Sequence, residues 1–318
     1  MMQSSVFAVN DEPYCIWDFN LERQAQKFLE GIDPDYFEYV FNEHVEAVDE
    51  ARAVMAIKLS LHHATETMFS MIGAYVQAPD CPQAWLAKCS NSTLRKVVNR
   101  IANSDKSLIV KLLVREVSWH EISQFVFRHY MPRTDRQKTT IEGFADFWAR
   151  MAADFLNQDS VDEYNAMKHG FRTRSGGFGL SIGKQEDPNT PAPPEKMKSL
   201  GSSKYGATFY KITPINSNLG NHHIQAKTIS TNWSLDRILQ QHQLVYMSIN
   251  NILTALKIAN KIGSKNCRFL RPEGEVDFFS PWTHSTGVAS MNINVGIDQQ
   301  QINWISKAEL LDRLKSIQ

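Results

Sequence analysis

Ser160-Val161-Asp162-Glu163-Tyr164-Asn165-Ala166-Met167-Lys168-His169-Gly170 is the stretch at which this chain changes character. Ser160 with Glu163 three residues later reads as a capping box opening a short helix, and Gly170 reads as the C′ residue that ends it. Lys168 and His169 fall in the last turn, where cations suit the helix dipole. Glycine and proline resist helix interiors, so their distribution maps the fold. Only Gly31, Gly73 and Gly143 precede Gly170, whereas eight glycines fall from Gly170 to Gly220 and Pro188, Pro191, Pro193 and Pro194 crowd one short segment. The first half is therefore expected to be helical and the middle not.

Working backward, Asp33-Pro34 reads as an N-cap with proline at the first helical position. Helical periodicity then runs to Val76, with a break near Asn42, before Pro79 and Pro82. Ser92 opens a helix through Ile101, Ser104 another through Tyr130, and Thr139 with Glu142 caps a third to about Leu156. Working forward, Phe178, Leu180 and Ile182 alternate, as do Thr208, Tyr210 and Ile212, then Ile224, Ala226 and Thr228, which predicts a small antiparallel sheet. The polar, proline-rich segment 184–203 reads as a mobile loop between strands. From Leu235 to Ala259 an apolar stripe at helical spacing predicts a long helix that returns to the bundle. Short strands are expected near Arg268–Leu270 and Val276–Phe279, and Ser306 with Glu309 caps a final helix. The fold expected is mainly α: a helical bundle over 1–169, with a small antiparallel β-sheet inserted after the fifth or sixth helix (170–230). Residues 231–318 supply the returning helix and the C-terminal elements.

With 318 residues and 42% hydrophobic content, the chain can bury a sizeable core, which excludes a disordered or fibrous protein. No apolar run approaches membrane-helix length and the N-terminus lacks a leader pattern, so a soluble cytoplasmic protein is expected. Cys15, Cys81, Cys89 and Cys267 form no CxxC, and reduced thiols are expected. The formal charge is zero, yet residues 1–169 hold 24 acids and 17 bases while 170–318 hold 10 and 17, so the halves are −7 and +7. The first fifty residues carry 12 acids against Arg23 and Lys27, and Lys88 to Lys138 carries 11 bases against four acids. Such polarity steers anionic partners or docks one surface on another.

Gly179-Leu180-Ser181-Ile182-Gly183 satisfies the spacing of a hydrolase nucleophile elbow, but no helix follows, because Asp187-Pro188 opens the proline-rich segment. Gly183-Lys184 fails as a phosphate-binding loop, since Phe178 replaces its first glycine and Gln185 the residue that would hold magnesium. Glu43, His44, His62, His63, Glu66, His120, Glu121, Glu163 and His169 all fall on expected helices. None of the histidines has a glutamate three residues before it, as a di-iron bundle requires, so no metal or cofactor is expected. His62 or His63 with Glu66 is expected instead as a buried hydrogen-bonded pair.

The stretch from Tyr164 to His169 resembles the last-helix motif of HEPN domains, which are helical bundles common in bacterial toxin, antiphage and RNA-processing proteins. That motif reads Arg, a polar residue usually Asn, three residues, then His. Asn165 and His169 match, and Tyr164 stands where the arginine belongs. The resemblance covers about Phe37 to Arg174. It implies a homodimer in which motif residues meet and cleave RNA without metal, the histidine moving protons and the arginine stabilising the phosphate. His169 and Asn165 are then the catalytic candidates. Negative charge builds on the phosphate in the transition state, and a tyrosine supplies no cation there. Lys168, Arg172 and Arg174 are the nearby substitutes, and they join Tyr164 and Glu66 as candidate ligand-binding residues.

The HEPN-like expectation is thus an RNA- or nucleotide-binding protein, at most a metal-independent ribonuclease, with catalysis impaired or absent. The alternative is a non-enzymatic helical interaction or regulatory protein with structural histidines. Trp85, Trp119, Trp148 and Phe125-Val126-Phe127 are expected in the core rather than as base-stacking surface. Lys257, Lys261, Lys265, Arg268 and Arg271 form a second basic run, a solvated face or a phosphate track.

Overall fold

The computed structural model describes residues 3–317 except 48–49, 114–115, 133–134, 171, 186, 188–189, 215–223, 264–266 and 295–304. Two compact units divide the chain: Met1–Asn165 with Ser234–Ser285, and Ala166–Trp233 with Thr286–Gln318.

The first unit opens with an antiparallel hairpin, β1 (Gln3–Val9) and β2 (Glu12–Asp18), in a region expected to be helical. Its two-residue loop is Asn10-Asp11, and Asn10 takes φ 57°, as tight hairpin turns require. Helices α1 (Leu21–Gly31), α2 (Tyr36–Val45), α3 (Ala51–Gln77), α4 (Pro82–Lys88) and α5 (Asn91–Ala102) follow. Then come α6 (Trp119–Val126), α7 (Arg136–Leu156), α8 (Gln158–Lys168) and, after the second unit's strands, α9 (Leu235–Ala259). The boundary between the units falls within α8, after Asn165.

The core of this unit lies between α3 and α9, its most extensive helix–helix packing. Val54, Ile57, Leu61, Ala64, Met68 and Ile72 of α3 recur every three or four residues and are all buried, as are Ile238, Val245, Ile249, Ile252 and Leu256 of α9. Two buried polar interactions fix the packing: Ser60 Oγ shares a hydrogen bond with His242 Nε2 at 2.8 Å, and Trp148 Nε1 donates to Ser248 Oγ at 2.9 Å. Trp85, Trp119, Trp148 and Phe127 lie in the core as expected.

Several sequence expectations need correction here, among them the Thr139–Glu142 cap: α7 already begins at Arg136, and Thr139 Oγ1 donates back to the Arg136 carbonyl. Among the described residues from Ser104 to Ser118 the expected Ser104–Tyr130 helix does not form, because Ser104 adopts φ 50° and Asp105 folds its carboxylate back onto Ser107 N (2.8 Å) and Arg100 Nε (2.8 Å). Residues 276–278 and 280–283 are 3₁₀ turns rather than a strand, and 268–270 is irregular, its backbone held by Asn251 and Thr254 side chains instead of a ladder. The Ser160–Glu163 capping box is also absent. Asn157 Oδ1 accepts from Asp159 N and Ser160 N and thereby caps α8, while Glu163 turns inward.

The second unit carries a four-stranded antiparallel sheet in the order β3 (Thr173–Ser175), β6 (Gly206–Pro214), β7 (Ile224–Asn232), β8 (Ser290–Asn294). A separate pair joins β4 (Gly179–Gly183) to β5 (Met197–Ser202). The sheet of this unit follows the eighth helix, not the fifth or sixth, because the expected long helical runs break into shorter ones. The loop expected over 184–203 ends earlier than the sequence suggested: 194–196 is a 3₁₀ turn and 197–202 is β5, where Gly201 sits so close to the Thr286 and Gly287 backbone that a Cβ would not fit. α10 (Lys307–Lys315) begins with the expected Ser306–Glu309 capping box.

The alternating run Thr208, Tyr210, Ile212 is a strand, but its inward face is the opposite one. Phe209 and Ile229, cross-strand partners, pack with Ala166 as this unit's buried cluster, whereas Tyr210 and Ile212 are more than half exposed.

Candidate functional site

The sequence-predicted residues divide between the two units. Glu66, Tyr164 and Asn165 belong to the first; Lys168, His169, Arg172 and Arg174 belong to the second.

In the first unit, α3 and the N-terminal part of α8 assemble a compact polar cluster. Glu163, only 4% exposed, accepts from His62 Nε2 at 3.2 Å and forms an ion pair with Lys58 Nζ at 3.3 Å. One turn along α3, Glu66 Oε2 accepts from the Tyr164 hydroxyl at 3.1 Å, and the Tyr164 ring stacks on His62 with centroids 5.1 Å apart. The expected His62/His63–Glu66 pair is therefore replaced: His62 binds Glu163, and Glu66 binds the tyrosine. Burial, reinforced by the Lys58 charge, lowers the His62 pKa, so the ring is neutral at pH 7 and its Nε2–H donates. Burial and the adjacent Glu66 carboxylate raise the Tyr164 pKa, so its hydroxyl keeps its proton. Asn165 is half-buried. Position 164 thus holds a neutral, hydrogen-bonded phenol, and the described groups include no cluster of His, Cys, Asp and Glu suited to a metal ion.

In the second unit, α8 ends at Lys168, and His169 occupies the turn that follows, with Gly170 at φ 58° closing it through a Gly170 N to Met167 O bond of 3.2 Å. Both Lys168 and His169 are exposed. Arg172 and Arg174, also exposed, line a half-open recess of about 270 Å³ on the sheet together with Thr173, Thr208, Phe209, Tyr210 and Thr228. Sequence reasoning placed the arginines beside a ligand but missed Tyr210. The signal was the alternation itself, which does not say which of a strand's two faces is covered.

Charge separates these units much as it separates the halves of the sequence. The second unit has 12 Lys and Arg against 6 Asp and Glu, or +6, and the first has 22 against 28, or −6. Many first-unit cations are occupied: Arg100 by Asp11 and Asp105, Lys111 by Asp80, Arg237 by Asp154, Lys261 by Glu22 and Arg268 by Asp35. The basic run 257–271 is accordingly tied in part to the acidic N-terminal segment of the same chain, and Lys257 is buried. Among the described residues, Arg172 and Arg174 form no ion pair.

Fold and site define a mainly helical protein with an acidic helical unit and a smaller basic sheet-bearing unit. No family model matches the chain, and no curated protein or solved structure is found to be similar to it. Among the described residues no helix is long and apolar enough to cross a membrane.

Proposed function

We propose that this protein binds RNA or a nucleotide in the manner of a HEPN-like factor of the toxin, antiphage or RNA-processing kind, with metal-independent ribonuclease activity impaired or absent. The observation that carries the reading is the grouping, within one short segment of a +6 unit, of an exposed histidine with two exposed arginines that pair with no described carboxylate. A histidine of reference pKa about 6.5 exchanges protons near neutrality, and guanidinium groups grip phosphate in bidentate fashion. The phenol at position 164 supports impaired catalysis, because it offers no charge to a developing oxyanion. The protein acts as a cytoplasmic homodimer in this reading.

Replacement of His169 with Ala tests it. An exposed turn residue contributes little to stability, so the melting temperature stays within a few degrees while RNA binding or cleavage is abolished. Sedimentation at micromolar concentration reports a dimer. A monomer, or a parent protein that neither binds nor cleaves RNA, transfers the case to the interaction-protein reading. One observation favours that rival: Val6, Trp17 and Phe19 on and beside the β1–β2 hairpin are each more than 60% exposed.

A further inference from the structure

We infer that the outward face of the four-stranded sheet is a stacking platform for single-stranded RNA, with Tyr210 receiving a base and Arg172 and Arg174 the adjoining phosphates. This rests on the RNA-binding reading and names the surface and the strandedness of its ligand.

Cross-strand register builds the platform in two rows. Arg174, Thr208, Ser230 and Met291 lie opposite one another across β3, β6, β7 and β8. Tyr210, Thr228 and Ile293 form the next row, and Arg172, the residue just before β3, lines the same recess as Arg174 and Tyr210. Tyr210 is 52% exposed and Ile293, two strands away, likewise 52%, so the aromatic ring is open to a planar ligand and the row beyond it is uncovered. An aromatic residue at the centre of a sheet usually faces the core; here Phe209, one residue earlier, takes that role. The Thr208 and Ser230 hydroxyls hydrogen-bond each other at 2.9 Å beside the recess, a polar strip able to exchange that bond for one to a ribose or base edge.

The occupant follows from charge and shape. Arg172 and Arg174 flank Thr173 at the start of β3 and line one recess, so both can meet phosphates of a single extended polynucleotide backbone. A folded polyanion with its bases paired would offer phosphates to the arginines but no π-face to Tyr210. An unpaired strand offers both, and the unit's net charge of +6 attracts it over a longer range.

Fluorescence anisotropy of the full chain with a labelled ten-nucleotide oligouridine, compared with a duplex of equal length, tests this. Tyr210→Ala weakens single-strand binding about tenfold, while Tyr210→Phe, which keeps the ring, stays within about twofold. The double variant Arg172→Glu, Arg174→Glu weakens it at least as much and flattens the salt dependence by roughly 0.7 for each phosphate no longer neutralised. Because that double variant alters only exposed positions, it decides the matter should Tyr210→Ala fail to fold by circular dichroism. Wild-type binding that survives both changes, or a preference for duplex, overturns the platform and leaves the RNA-binding reading standing. Absence of any binding by the wild-type chain overturns both.

Discussion

His242 shows how a single side chain links packing to solution behaviour. It is fully buried against Ser60 in the α3–α9 seam, and burial pushes its pKa down to about 4. The unfolded chain, with a value near 6.5, binds the proton more readily, so the stability due to neutral His242 is complete above pH 6.5 and is lost as pH falls toward 4. His62 shifts in the same direction. Urea titrations should show about 2 kcal/mol less stability at pH 5 than at pH 7 from His242, and His242→Gln should remove that share of the pH dependence. Equal slopes in parent and variant would contradict it. Glycines give a second residue-scale contrast. A Cβ on Gly73, inside α3, would lie 2.3 Å from Trp85, whereas one on Gly31, at the end of α1, meets nothing within 4 Å. Gly73→Ala is expected to cost about 1–3 kcal/mol by overpacking, and Gly31→Ala to stabilise by about 0.4–1 kcal/mol through the unfolded chain. Thermal melts of the two variants should move in opposite directions.

At the scale of elements, apolar periodicity made α3, α7 and α9 legible, because a buried helix face in a bundle repeats its residues every three or four positions. The hairpin β1–β2 escaped, although Asn10-Asp11 between two extended runs is a turn signal, because its outward residues Val6, Cys15 and Trp17 are apolar and blur the alternation. The loop after Ser104 escaped because its apolar residues keep helical spacing while Asp105 captures the backbone locally. The site was legible in part. Gly170 announced the turn that exposes His169, whereas the outward aim of Tyr210 depends on what covers Phe209, a tertiary fact. Segment 184–202 divides by the same logic. Lys184 lies outside the ladder and is exposed, while Lys198 is paired within β5. Brief trypsin treatment should cut after Lys184 well before Lys198, and the reverse order in mass spectra would show that β5 does not hold the chain.

The whole molecule joins two units of unequal reserve. The first buries long apolar faces of α3, α7 and α9; the second encloses a cluster of Ala166, Phe209 and Ile229. Local stability follows buried apolar packing. In native-state hydrogen exchange, amides of α3 and α9 should therefore persist longest, and those of β6 and β7 should open at a lower free energy. One common ceiling for all of them would mean that the units unfold together.

The pairing of α3 with α9 also bears on how the protein is made. Ser60 and His242 touch although 182 positions separate them, and Asn260 Nδ2 reaches the Pro79 carbonyl across 181. A ribosome adding about 5–20 residues per second exposes the greasy side of α3 for on the order of ten seconds or more before its mate emerges. During that interval the nascent chain is a natural client for a holding chaperone, and release of unfinished chains at any codon before the one for Leu235, where α9 begins, leaves an orphaned α3 prone to self-association.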